Sequence, residues 1–137
     1  MATPFYISTD KSRLDKDLVT GFLSLQSYWA KERSRQTIEK SIENSLCFGV
    51  YYTEGNQVGF GRVISDYAVF AWLLDVFILE QYRGKGLGKM LIAAIMNHED
   101  LQDIKRWGLG TKDAHGLYEK YGFRPLSKPE TMMERTA

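Results

Sequence analysis

The chain carries a single cysteine, Cys47, which excludes an internal disulfide framework and any cysteine-built metal site. Cys47 lies in an apolar strand pattern and reads as a buried structural thiol rather than a nucleophile. Charge of one sign is also missing: 18 Lys and Arg stand against 17 Asp and Glu, a net charge of +1. A general nucleic-acid binder needs a basic excess, so no nucleic acid is expected as a partner. No apolar run reaches the roughly eighteen residues of a membrane span, and Met1 to Asp10 lacks the basic-then-apolar order of a signal peptide. Repeats, low-complexity stretches and linkers are absent as well. What remains is a chain of 137 residues, 44% hydrophobic and 26% charged. That composition suits one compact domain over residues 1–137 with a real core. A soluble cytoplasmic protein without metal is the expectation.

The densest information lies in Gln81-Tyr82-Arg83-Gly84-Lys85-Gly86-Leu87-Gly88-Lys89. Before it, Val69 to Leu79 is apolar, β-branched and aromatic, the pattern of a buried strand. After it, Met90 to Met96 is rich in good helix formers. A glycine-rich loop between a strand and a helix can turn sharply and expose N–H groups. The first N–H groups of a helix lack partners and carry partial positive charge, so the loop suits a phosphate or pyrophosphate. Arg83, Lys85 and Lys89 add charge around it. A nucleotide P-loop is excluded because Met90, not Ser or Thr, follows Lys89. A dinucleotide fingerprint fails because Lys89 stands where a third small residue is required.

In chain order, Phe5 to Ser8 reads as a short strand, with Asp10 or Ser12 as a helix cap. Leu14, Leu18, Phe22, Leu25 and Trp29 are spaced for one helix face. A second helix is expected from Ser34 to about Asn44, burying Ile38 and Ile42. Leu46, Phe48, Val50 and Tyr52 alternate with Cys47, Gly49 and Tyr51 along a strand. Thr53 to Gln57 is a hairpin turn and Val58 to Ile64 the return strand. Ser65 to Tyr67 turns into the long strand. Beyond the loop and its helix, Trp107 to Thr111 reads as another strand. Asp113 is the expected cap of a short helix stopped by Gly122. Phe123 opens a last extended segment in which Pro125 and Pro129 limit regular pairing. The order is β-α-α-β-β-β-α-β-α-β, an α/β domain.

Gln81, Gly84 and Gly86, and again Arg83, Gly86 and Gly88, satisfy Gln/Arg-x-x-Gly-x-Gly/Ala. This resembles the acetyl-CoA pyrophosphate loop of the GCN5-related N-acetyltransferases, the GNAT superfamily. Ala114-His115-Gly116-Leu117-Tyr118-Glu119-Lys120-Tyr121-Gly122-Phe123 resembles that family's second hallmark, a Tyr-bearing helix after the fifth strand. The resemblance implies a central mixed β-sheet flanked by about four helices. It also implies an acetyl-CoA-dependent N-acetyltransferase acting on a primary amine of a small molecule or peptide, and a possible homodimer. By the same resemblance Val76, Phe77 and Ile78 hold the cofactor arm through their backbone, and Arg83, Gly84, Lys85, Gly86, Leu87, Gly88 and Lys89 form the pyrophosphate cradle. The carboxyl end departs from the family pattern, because little apolar strand sequence follows Pro129.

Acetyl transfer requires a deprotonated amine, a polarised thioester carbonyl and a protonated leaving thiol. Tyr118 matches the family's general acid, and a phenol is protonated at neutral pH. Asp75 is the one ionisable residue inside the central strand and a candidate general base. Its alternative is a structural carboxylate. In strict alternation it shares a face with Leu73, Phe77 and Leu79. Glu80, His115 and a water relay are rivals for the base. Tyr28 and Trp29, leaving the first helical pattern, are candidates for the acceptor pocket. Phe70 and Trp72 read as core filling, and Arg62 either binds a substrate carboxylate or pairs with Asp66. A second function class keeps the cofactor loop without chemistry, as an acyl-CoA sensor or partner-binding module. Thiol release in the presence of amines separates the two.

Overall fold

The computed structural model describes residues 4–136. Five strands form one sheet in the order β1-β2-β3-β4-β5. They are β1 (Phe5–Ser8), β2 (Leu46–Tyr52), β3 (Gln57–Ser65), β4 (Phe70–Ile78) and β5 (Arg106–Leu109). The first four pair antiparallel and β5 runs parallel to β4. A parallel neighbour requires a crossover, and helix α3 (Leu87–Met96) supplies it. With α1 (Lys16–Gly21), α2 (Arg35–Glu43) and α4 (His115–Glu119), the sheet has four α-helices around it.

Both faces of the sheet are covered, which explains the near-continuous apolar β4 sequence. Leu87, Leu91, Ile92 and Ile95 of α3 pack with Phe48, Val50, Val63 and Leu73 on one face. On the other, Val19, Phe22, Ile38 and Ile42 meet Cys47, Phe60 and Phe77. Burial of such side chains contributes about 1.5–3 kcal/mol each. The expected alternation of β2 holds, with Phe48 and Val50 on the α3 face and Cys47 opposite. Burial raises the Cys47 thiol pKa, as suits a structural residue.

Several local expectations need correction. Asp10 caps only a short 3-10 turn, and Asp15 caps α1 by accepting the Leu18 N–H at 3.0 Å. The first helix does not run regularly to Trp29. It widens into a π turn over Phe22–Gln26, closed by the Ser27 N–H on the Phe22 carbonyl. The wider turn rotates the helical face, so Leu23 is buried and Leu25 is 77% exposed. The second helix starts where expected, with Ser34 as its cap. Asp113 does not cap α4; Ala114 occupies the cap position, and its N–H is taken by the Thr111 hydroxyl. Arg62 pairs with Asp75 rather than Asp66. Asp66 instead accepts the N–H groups of Val69, Ala68 and Phe70, which lower its carboxyl pKa. Among the described residues no strand forms after Phe123, where only a 3-10 turn at Pro129–Thr131 follows.

Candidate active site

The site begins where β4 parts from β5. Their pairing ends at Leu73 and Leu109, whereas β4 stays paired to β3 as far as Ile78. The parting coincides with a bulge in which two residues of β4, Asp75 and Val76, face Gly61 of β3. Asp75 sits there at φ +55, a left-handed conformation that Asp tolerates better than most residues. A Cβ on Gly61 would come within 3.3 Å of Val76, so glycine leaves room for the bulged strand. The bulge breaks the strict alternation expected for β4. Phe77 packs against α1 and α2 and Asp75 turns to the segment between them, whereas Leu73 packs against α3. Beyond it, the Leu79 N–H donates to the Val58 carbonyl at 2.8 Å. Alternation then turns the Phe77 amide toward β3 as well, and the Val76 and Ile78 amides toward the opening.

A cleft of about 540 Å³ occupies this opening. Val76, Phe77 and Ile78 form one wall, and Arg83, Gly84, Gly86, Leu87 and Gly88 lie at its mouth. Gly86 stands at the N-terminus of α3 with φ +79, and no side chain caps that helix end. Gly84 also has a positive φ, and at both glycines the space a Cβ would take is open. The first N–H groups of α3 therefore point at an accessible concavity. Arg83 donates from Nε to the Ile78 carbonyl at 2.9 Å, which holds its guanidinium at the cleft. Lys85 and Lys89 are exposed and outside the cleft lining. The like charge of the neighbouring Lys89 ammonium lowers the Lys120 pKa.

A second cleft of about 520 Å³ opens on the other side of the splay and shares Tyr28, Trp29, Val76, Asp113, Ala114 and Tyr118 with the first. The segment after the π turn is tied down by serines. The Ser27 hydroxyl donates to the Leu23 carbonyl at 2.7 Å and accepts the Ala30 N–H at 3.0 Å. The Ser24 hydroxyl donates to the Arg33 carbonyl. This brace aims Trp29 and Arg33 at β4. Asp75, with its side chain 1% exposed, accepts three hydrogen bonds there. They come from Trp29 Nε1 at 2.7 Å, Arg33 Nη1 at 2.9 Å and Arg62 Nε at 2.7 Å. Tyr28 stands edge-on to Trp29 and accepts the Lys112 N–H at 2.8 Å, joining this segment to the loop before α4. Trp72 also lines this second cleft, whereas Phe70 is stacked on it at the exposed side.

Tyr118 lies where the clefts meet and is 7% exposed. Burial, with a smaller effect from Tyr28, pushes its pKa up to about 12. Glu80 and His115 are exposed and line neither cleft.

The acetyltransferase (GNAT) domain model matches residues 43–125. The chain belongs to the GNAT acetyltransferase family. A crystal structure from Xanthomonas campestris pv. campestris, described as a candidate acetyltransferase of the GNAT family, shares 47% identity with a TM-score of 0.95. The match covers 100% of this chain and 96% of that one. A candidate acetyltransferase of Gibberella zeae is 28% identical over 137 residues, 85% of this chain and 76% of its own length. The spermine/spermidine N(1)-acetyltransferase of Bacillus subtilis is 36% identical over 92 residues, 56% of this chain and 57% of that protein. The GNAT sheet and its four helices are thus those implied by the two sequence hallmarks.

Sequence reading had singled out Tyr28, Trp29, Asp75, Tyr118 and the glycine loop, and the structure brings all of them to one splayed edge of the GNAT sheet. It did not find Arg33 or Asp113. Arg33 stands 42 residues from Asp75, and no local pattern announces that pair. Asp113, read only as a cap, lines both clefts.

Proposed function

We propose that this GNAT domain moves the acetyl group of acetyl-CoA directly to a primary amine of a small molecule or peptide, with both substrates bound at once. The observation that carries this reading is the meeting of two clefts at Tyr118 beside the unpaired edge of β4. Acetyl-CoA supplies an activated acetyl group and a thiol that can leave. The residues present fit it: an uncapped helix end, two glycines with open space above them, and Arg83 suit its pyrophosphate. The Val76 and Ile78 backbone groups suit its amide-bearing arm, and Phe77 belongs to the same wall. Lys85 and Lys89, outside the cleft, add attraction for its phosphates.

On the acceptor side, Tyr28 and Trp29 enclose the amine. The amine nitrogen bonds to the acetyl carbon, the carbon–sulfur bond breaks, and the Tyr118 hydroxyl gives its proton to the departing sulfur. The proton lost by the amine passes to water, and Tyr118 recovers its own from solvent. Asp75 has three of its roughly four acceptor positions filled. It therefore acts as a positioning residue for Trp29 and Arg33 rather than as the direct base.

Thermal shift with acetyl-CoA, CoA and ATP, followed by thiol release with an amine panel, tests the reading. Stabilisation by acetyl-CoA without thiol release from any amine favours the acyl-CoA sensor. Gly86→Asp sharpens the test. A side chain at φ +79 is strained, and an Asp carboxylate there would itself occupy the free N–H groups of α3. Acetyl-CoA affinity should fall about 100-fold, roughly 2.7 kcal/mol, in a protein that stays folded. Unchanged affinity by calorimetry removes the loop from the binding site.

A further inference from the structure

The charges around Asp75 do not balance. Among the described residues its carboxylate is the only acid paired in the cluster, yet both Arg62 and Arg33 donate to its Oδ2. Arg62 is nearly enclosed, its side chain 9% exposed, and its Nε is committed to Asp75. Arg33 is 25% exposed and lines the acceptor cleft. At the exposed rim, Lys112 and Asp113 carry opposite charges. Three cations therefore face two carboxylates, and the surplus positive charge lies at the buried end, where solvent screens it least. Partly buried charges are rarely left without a partner.

We infer that the acceptor amine carries an anionic group, a carboxylate or a phosphate, seated on Arg33. This rests on the acetyltransferase reading of the same site. Asp75 takes up Nη1 of the Arg33 guanidinium, and among the described residues the other donors of the planar fork have no hydrogen-bond partner, in a side chain that lines the cleft. That geometry suits the paired oxygens of either anion. Asp75 and Ser24 hold Arg33 from both ends, through its side chain and its carbonyl, so little ordering is left for the ligand to impose. A diamine or polyamine would bring a second ammonium against the surplus charge instead. The substrate class is therefore an amino acid, an acidic peptide amine or an amino phosphate.

Matched amines test this with acetyl-CoA as donor and thiol release as readout. L-lysine against cadaverine, L-histidine against histamine and glycine against methylamine differ by a carboxylate. O-phosphoethanolamine against ethanolamine differs by a phosphate, so the two sets distinguish the sources of the anion. The anionic member of at least one set should have the higher kcat/KM, by about 10- to 100-fold, the reach of one charged hydrogen-bonding site. In Arg33→Ala that ratio should collapse toward unity, and Arg33→Lys should keep part of it, while acetyl-CoA affinity stays near that of the wild type. A merely structural Arg33 would lower both members of a pair alike. Quenching of tryptophan fluorescence in the CoA-loaded wild-type protein provides a readout free of turnover and of variant folding, because Trp29 and Trp72 line the cleft. Amines that bear the carboxylate or phosphate should quench at lower concentration than their counterparts that lack it. Equal or better use of cadaverine, histamine, methylamine and ethanolamine overturns the inference, as does a preference that survives Arg33→Ala. Absence of thiol release from every amine, with selective quenching retained, counts against the transferase reading and leaves the anion seat standing.

Discussion

Tyr118→Phe is expected to lower kcat 10- to 1000-fold, within the usual reach of general acid catalysis, and to leave acetyl-CoA affinity and folding nearly unchanged. The substitution removes only a hydroxyl from a ring that is already buried and packed edge-on against Phe123. Burial and Tyr28, not a hydrogen bond, act on that hydroxyl, so its loss strands no partner. With its pKa pushed up to about 12, Tyr118 keeps its proton throughout the range in which the amine loses its own. No downward limb of the rate belonging to Tyr118 should appear below pH 10. The sign for stability follows from the same shift. A folded-state pKa above the unfolded value near 10 contributes stability that is present below pH 10 and lost as pH rises toward 12. Tyr51, also raised to about 12 by burial, adds to the same alkaline loss. The variant should therefore lose less stability than the wild type between pH 10 and 12. Near-native turnover with an accepted amine removes Tyr118 from the mechanism.

Asp75→Asn carries the largest expected effect on stability, about 3 kcal/mol, the lower end of what breaking a buried ion pair costs. In a chain of this size that lowers Tm by roughly 10 °C. Asn keeps the shape and tolerates the left-handed backbone at this position, so the variant isolates charge from strain. Two guanidiniums then share no carboxylate, and Arg62, being nearly enclosed, has no alternative in solvent. Trp29 loses its charged acceptor, and the acceptor cleft loses its floor. The rate loss should follow the displaced Trp29 and Arg33 and should not recover at high pH. A variant with unchanged Tm, whose rate recovers as pH rises, makes Asp75 the general base instead.

The parts of the site that sequence made legible are those written in unbroken stretches of chain. The loop from Gln81 to Lys89 and the helix from Ala114 to Phe123 carry their chemistry as local spacing, so both could be placed before any contact was known. Arg33 and Arg62 could not be assigned to Asp75 in this way. Their pairing arises only when the braced segment after α1 and the bulge of β4 come together, and neither a π turn nor a non-glycine residue at φ +55 has a sequence signature. The strict alternation expected for β4 consequently placed Leu73 on the wrong face. Pro125 and Pro129 did signal a poorly pairing end to the chain, and among the described residues that end forms no strand.

The parting of β4 from β5 also divides neighbouring amides of one strand into two kinetic classes. The Phe77 N–H turns toward β3, within a continuous antiparallel ladder, whereas the Val76 and Ile78 N–H groups turn toward the opening. Hydrogen–deuterium exchange resolved by residue should show Phe77 protected whether or not substrate is present. Val76 and Ile78, one residue to either side, should exchange rapidly in the free protein and slow when acetyl-CoA is added. A strand that is half sheet and half binding edge thus reports occupancy through every second amide, without a change of fold.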